Sequence, residues 1–336
     1  MKTILLPLAL TFGAVLIPSL AQAQDKPDGQ APMKVDADLP VYAAKGGIAG
    51  TMKSVGSDTM INEMTTWAQS FRKLYPGVQV EVEGKGSGTA PAALIAGTAH
   101  FGPMSRPMKG QEVDDFEKTF GYKPTAIATS IDMLAVYVHK DNPLAQLTLQ
   151  QVDACFSKTR KGGADKELKT WGDLGLTGEW ATKPISLYGR NSASGTYGYF
   201  KEHALFKGDF KDTVKEQPGS SAVVQGVASD KFAMGYSGIG YKTADVRALP
   251  IAGDSKQKPI EALAEHAYDG TYPLARFLLV YVNKKPGTEL DPMRREFLRF
   301  VLSKQGQMDV VQEGYFPLTG RLAKRELDKL GIASDG

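Results

Sequence analysis

The chain has a single cysteine, Cys155, so no disulfide can form within it and no cysteine is available at a cleavage site to carry a lipid. Histidine is almost as scarce. His100, His139, His203 and His266 stand far apart without metal-ligand spacing, and each reads as a surface or packing residue. The formal net charge is only +3, and no Lys/Arg cluster alternates with aromatics, which argues against a nucleic-acid partner. Beyond Ile4–Leu16 there is no long apolar run, and that one is too short to anchor in a bilayer.

Signatures of catalysis are missing as well. The stretch "GYSGIG" (235–240) has Ile239 where the second glycine of a nucleophile elbow should stand. Lys85 precedes Gly86 in "GKGSG", whereas a nucleotide-hydrolase loop needs Gly-Lys followed by Ser or Thr, and a third glycine for a dinucleotide fingerprint is lacking. No catalytic residue, metal ligand or cofactor site is therefore assigned.

What is present begins with an export signal. Lys2 is a short basic start, Ile4–Leu16 is a compact apolar run, and Ala21-Gln22-Ala23 is a small-x-small cleavage site, predicting a signal peptide over 1–23. The expected location is the periplasm, with secretion beyond it open. Residues 24–50 are rich in Pro, Gly and Asp without a sustained period and read as a flexible linker or arm. About 285 residues remain, more than one core usually holds, so two domains are expected.

Thr51–Gly56 reads as a strand. Met60, Met64, Trp67, Phe71 and Leu74 mark one face of a helix over Thr59–Tyr75. Val78, Val80 and Val82 alternate in a second strand after the Pro76-Gly77 turn, and "GKGSGTAPAALIAG" opens a second helix with Pro91 in its first turn. Strand and helix at this spacing predict an α/β sheet with parallel pairs. "MLAVYVHKDNP" (133–143) echoes "FLLVYVNKKPG" (277–287), as two strands crossing between lobes would. On that reading lobe I is 51–131 and 276–336, and lobe II is 132–275. Common strand composition explains the echo equally well.

Three segments share one design of strand, small polar turn and helix: "SVGSDTM" (54–60), "GKGSGTAP" (84–91) and "GRNSASGT" (189–196). A turn of small hydroxyl residues opening a helix exposes backbone N–H groups, and Arg190 adds a planar fork of donors. Any one of these is also an ordinary N-cap. Three together suggest helix termini converging on an anion, each supplying roughly half a positive charge. Trp171, Tyr197, Tyr199 and Phe200 read as packing rather than as a sugar pocket. Glu112, Asp114, Asp115 and Glu117 read as a solvated helix face.

"VGSDTM", "GKGSGTAPAALIAGTAHFGPMSRPM", "GRNSASGTYGYF", "AMGYSGIGY" and "YPLARFLLVYVN" follow one another in this order. In these motifs, from about residue 51 to 325, the chain resembles the periplasmic phosphate-binding proteins of ABC importers. The resemblance implies a two-lobed periplasmic-binding-protein fold (α/β, type II-like), with the ligand cleft between lobes joined by two hinge strands. It implies a non-enzymatic monomer that closes on inorganic phosphate and delivers it to an inner-membrane ABC permease. The family's Arg-x-x-x-Ser-Gly-Thr turn carries over to Arg190, Ser194, Gly195 and Thr196, its Gly-Ser turn to Ser87, and its first turn to Asp58 and Thr59.

One position departs from the pattern. Many members have Ser-Asp where this chain has Ser105-Arg106, and that aspartate accepts the proton of hydrogen phosphate. An acceptor excludes sulfate, which has no proton to give. Arg106 is expected to strengthen anion binding and remove that filter, leaving Asp58 as the substitute acceptor. The bland alternatives are that Asp58 caps its helix and Arg106 pairs with a carboxylate. Competing functions are binding of sulfate, another oxyanion or an organic phosphate, a secreted phosphatase on the same fold, or an adhesin using the 24–50 arm.

Overall fold

The computed structural model describes residues 33–333, so the expected signal peptide lies outside the described residues. In chain order the elements are β1 (Gly50–Gly56), α1 (Ile61–Leu74), β2 (Val78–Gly84), α2 (Ala90–Ile95), β3 (Gly102–Met104), α3 (Gly110–Phe120), β4 (Thr125–His139), β5 (Leu147–Thr148), α4 (Leu149–Phe156), β6 (Ser186–Arg190) and α5 (Gly195–His203). There follow β7 (Lys215–Gln217), α6 (Ser220–Ser229), β8 (Ala233–Gly238), β9 (Val246–Ala248), β10 (Ile251–Ala252), α7 (Ala264–Tyr268), β11 (Ala275–Val282), α8 (Pro292–Val301), α9 (Lys304–Gln312) and α10 (Gly320–Leu330).

The first strand–helix–strand unit forms as its sequence predicts. Met60, Met64, Trp67 and Phe71, spaced three and four apart, are fully buried on one stripe, and β1 and β2 pair in parallel beneath it. Leu74 does not join that face; it is 42% exposed where the helix runs into the Pro76-Gly77 turn.

The main sheet is mixed, with seven strands in the order β3-β11-β4-β8-β6-β7 and β9 beside β4. Its parallel pairs, β6 with β7 and β8, follow the expectation, but its spine is antiparallel. β4 is 15 residues long and changes partners part-way: Thr125–Met133 pairs with β11, and Leu134–Val138 pairs with β8. The two echoing segments are thus neighbours in one sheet, yet they do not face each other in register. Phe277–Val282 lies against Ile131–Thr125. One apolar core cluster continues past this crossing, from Trp67, Phe71 and Phe297 through Met133, Leu134 and Val136 to Trp171, Phe200 and Tyr236.

Of the segment read as a flexible arm (24–50), residues 24–32 lie outside the described residues, and the rest is tied down. Residues 33–49 have no helix or strand, but Leu39 and Tyr42 are buried. Tyr42 Oη donates to Glu296 Oε2 at 3.0 Å, Lys304 N–H donates to Pro40 O at 2.8 Å, and Gly320 N–H donates to Asp36 Oδ2 at 2.9 Å. The strap satisfies donors at the starts of α9 and α10, a kind of docking that leaves no periodicity to read. The aromatics behave as packing residues: Trp171 is fully buried against Trp180, and Phe200 stacks on Tyr236 at 3.9 Å between ring centroids. Cys155 is buried in α4, and burial pushes its thiol up to about 12, the mark of an inert thiol.

Candidate anion-binding site

Four helix starts meet at one place. Asp58 and Thr59 form a single turn leading into α1, and Ser87 begins a similar turn leading into α2. Gly86 precedes the second turn at φ +109°, a conformation that favours glycine. Ser194 caps α5, its Oγ accepting from Thr196 N–H at 3.1 Å and Tyr197 N–H at 3.3 Å. The fourth start, α6 at Ser220, was not among the turns singled out from sequence, because "PGSSAVVQG" (218–226) has no arginine and only an ordinary capping composition.

Hydroxyls bind these starts together. Thr59 Oγ1 is 2.8 Å from Thr196 Oγ1 and 3.5 Å from Ser220 Oγ. Ser87 Oγ accepts from Ser105 N–H at 3.0 Å and lies 3.3 Å from Ser105 Oγ, which in turn accepts from Ser57 Oγ at 3.1 Å. Gly88 N–H donates to Ala193 O at 3.0 Å, so the α2 turn touches the α5 turn directly. Gly195 sits where no side chain fits, since a Cβ there would lie 2.2 Å from Ser87 Oγ.

Arg190 ends β6 beneath this cluster and is 2% exposed. Nη1 donates to Ser220 Oγ at 2.8 Å and lies 3.0 Å from Asp58 Oδ1; Nη2 donates to Pro218 O at 3.2 Å. Burial lowers the guanidinium's pKa, and the Asp58 carboxylate opposes that shift. Nε is buried without a hydrogen-bond acceptor among the described residues, an unmet donor at the cluster. Asp58 is tied from the other side, its Oδ1 accepting from Ser220 N–H at 2.7 Å, and Tyr241 Oη donates to the Asp58 carbonyl at 2.9 Å. Asp58 thus contacts the start of α6 as well as the turn into α1.

Arg106 sits under α5, its Cδ 3.2 Å from the position of a Gly198 Cβ, but its fork points to a carboxylate. Nη1 donates to Glu112 Oε2 at 2.8 Å and Nη2 to Glu112 Oε1 at 2.7 Å. Of the two readings offered for Arg106, the geometry shows the carboxylate pair. Glu112 in turn is not on a solvated face: it is 18% exposed and accepts from Lys109 N–H at 2.7 Å at the start of α3. Burial raises its pKa, and the Arg106 fork and the Lys109 N–H outweigh that, holding it below the usual carboxylate range.

Arg276 at the start of β11 is the residue that motif reading passed over. It is 7% exposed and its Nη2 donates to Thr196 Oγ1 at 2.9 Å. "YPLARFLLVYVN" contains it, but a lone arginine entering an apolar strand carries no local sign of its partners. Asp132 on β4 takes both its Nε at 3.0 Å and its Nη2 at 2.8 Å. The three arginines Arg106, Arg190 and Arg276 therefore each face a carboxylate: Glu112, Asp58 and Asp132. The side-chain charges cancel in pairs, against the expectation that Arg106 would strengthen anion binding, and hydrogen-bond donors are what the cluster offers.

The model of the PBP superfamily domain matches residues 42–305. The phosphate-binding protein PstS of Pseudomonas aeruginosa is 54% identical over 298 residues, 89% of this chain and 92% of the relative. The chain belongs to the PstS family. PstS of Staphylococcus haemolyticus is 30% identical over 287 residues, 84% of this chain and 86% of that one. Among solved structures, a substrate-binding protein from Clostridium perfringens crystallised with bound phosphate matches with a TM-score of 0.69 at 24% identity, over 80% of this chain and 100% of that chain. An ABC-type phosphate transport receptor from Vibrio cholerae matches with a TM-score of 0.61 at 22% identity, over 80% and 100%. The two-lobed periplasmic-binding fold expected from the PstS-family motifs is thus the fold of this chain. Among the described residues no helix is long and apolar enough to cross a membrane.

Proposed function

We propose that this PstS-family chain captures inorganic phosphate in the periplasm, after removal of residues 1–23, and hands it to an inner-membrane ABC permease. It acts as a monomer, without a cofactor and without a chemical step. The observation that carries the reading is the convergence of four helix starts and the unmet Arg190 Nε on one hydroxyl cluster. Such a site offers donors to every oxygen of a tetrahedral anion. Phosphate entering between Thr59 and Thr196 exchanges hydroxyl–hydroxyl bonds for stronger charge-assisted ones. With the arginines neutralised in pairs, binding rests on aimed donors more than on net charge, and geometry then sets selectivity.

We place the lobe boundaries where β4 changes partners and β11 begins, giving lobe I as 51–131 with 276–336 and lobe II as 132–275. Thr59, Ser87 and Ser105 then face Arg190, Ser194, Gly195, Thr196 and Ser220 across the cleft. Hinge closure brings the two sets together around the anion. Asp58 is the group that accepts the proton of hydrogen phosphate, through Oδ2, while Oδ1 holds Arg190 and the Ser220 N–H. Arg106 keeps the wall under α5 in place through Glu112.

The test uses the mature protein stripped of copurified phosphate. A ligand that binds only the folded state adds about 2.7 kcal/mol at a hundredfold excess over Kd. At roughly 2 °C per kcal/mol for a chain this size, saturating phosphate raises the melting temperature by about 5 °C. Stripped protein that melts at the same temperature with and without millimolar phosphate refutes the assignment.

A further inference from the structure

Arg276 and Asp132 lie directly opposite each other in the β4–β11 pairing, at the point where β4 is about to change partners. Asp132 is fully buried, and while Oδ2 takes two donors of Arg276, Oδ1 accepts from Ile239 N–H at 3.0 Å. The guanidinium has a second anchor on the other side of the cleft, with Nη1 donating to Ser105 O at 2.8 Å. The Tyr199 ring packs against it at 5.2 Å. Held on all these sides, the fork makes one further hydrogen bond among the described residues, from Nη2 to Thr196 Oγ1.

That contact fixes a proton. Arginine can only donate, so Thr196 Oγ1 must accept from Arg276, and the single Thr196 hydroxyl proton is left to point elsewhere. The neighbour in that direction is Thr59 Oγ1 at 2.8 Å, on the opposite wall of the cleft. We propose that Arg276, set by Asp132, is a positioning residue for phosphate binding: it locks Thr196 as a donor aimed at the anion. The inference rests on the phosphate reading above. The arrangement favours an oxygen without a proton at Thr196 and assigns the ligand's own proton to another acceptor. It also ties that orientation to the hinge, because both members of the pair stand on the two strands that cross between lobes.

The test is a double-mutant cycle read by calorimetric titration with inorganic phosphate. Arg276→Lys keeps the charge beside Asp132, but one ammonium cannot reach Asp132, Ser105 O and Thr196 as the fork does. Thr196→Val removes the hydroxyl while keeping its shape. Each single variant is expected to bind phosphate about tenfold or more weakly, the scale of a hydrogen bond to a charged group. If Arg276 acts through Thr196, the double variant binds no more weakly than the worse single one. Fully additive losses, or Arg276→Lys binding within threefold of the parental chain, overturn the proposal. Should Arg276→Lys fail to fold, Asp132→Asn takes its place in the cycle, since its single amide oxygen cannot serve both the fork and the Ile239 N–H, and the same outcomes decide. A parental chain that does not bind phosphate instead overturns the reading on which the inference rests.

Discussion

Gly195→Ala separates the cost of folding from the cost of binding. Gly195 is the first residue of α5, where alanine on its own is favoured over glycine by up to about 1 kcal/mol. Its new Cβ would lie 2.2 Å from Ser87 Oγ, 2.6 Å from Ser105 Oγ and 2.9 Å from Ser87 Cβ, all inside the 3.0 Å that real Cβ atoms keep. Ser87 Oγ accepts from the Ser105 N–H at 3.0 Å and Ser105 Oγ accepts from Ser57 Oγ at 3.1 Å, so neither hydroxyl can swing aside without losing a bond. Overpacking of this kind costs about 1–3 kcal/mol. Ser87 and Ser105 belong to one side of the proposed cleft and Gly195 to the other, so hinge opening relieves the clash and the penalty falls on closure. The expected result is a phosphate Kd raised roughly 5- to 150-fold. The ligand-free melting temperature should be unchanged or slightly higher. Calorimetric titration beside a thermal melt of the same preparation reads both. A Kd within threefold of the parental value, or a ligand-free melt lowered in step with binding, refutes the reasoning.

The remaining predictions follow from single contacts. Arg190→Ala should lose about 2–5 kcal/mol of phosphate binding, and Arg190→Lys should not restore it, because an ammonium cannot replace the fork that spans Ser220, Pro218 O and Asp58. Tight binding by the alanine variant in the same titration removes Arg190 from the site. Asp58→Asn should raise sulfate affinity relative to phosphate, since an amide can donate where the carboxylate only accepts; an unchanged ratio reduces Asp58 to a partner of Arg190 and the α6 start. Glu63, fully buried in the first turn of α1, has no hydrogen-bond partner on either oxygen among the described residues. Burial, opposed by the nearby Ser130 hydroxyl and assisted by Asp132 and Glu313, pushes it up to about 8. The unfolded carboxyl ionises near 4.5, so the fold holds a proton that the unfolded chain releases, and this stability is lost as pH rises from 4.5 through about 8. Glu63→Gln should flatten that slope and raise stability at neutral pH by on the order of 2–3 kcal/mol, as read by thermal melts across the window. An equally steep slope in the glutamine variant shows that Glu63 is not its source.

What could be read along the chain was what depends on near neighbours. The apolar stripe of α1, the alternation of β2 and the capping turns at Asp58, Ser87 and Ser194 are set within a few residues, so composition and period disclose them. The hydroxyls and Arg190 of the candidate site were legible for the same reason: each lies inside a turn whose residue types are unusual together. Partner choice was not legible. Arg276 meets Asp132 across 144 residues because the β4–β11 register sets them opposite each other, and nothing near either residue announces the other. Arg106 looked like an anion ligand until α3 placed Glu112 on its fork, although the two are only six residues apart. The strap before β1 looked free because its bonds go to the starts of helices near the far end of the chain. Charge and hydrogen-bonding capacity belong to the residue and are written in the sequence. Whether an arginine is spent on a carboxylate or left with a donor for an anion depends on which segments the tertiary fold sets side by side.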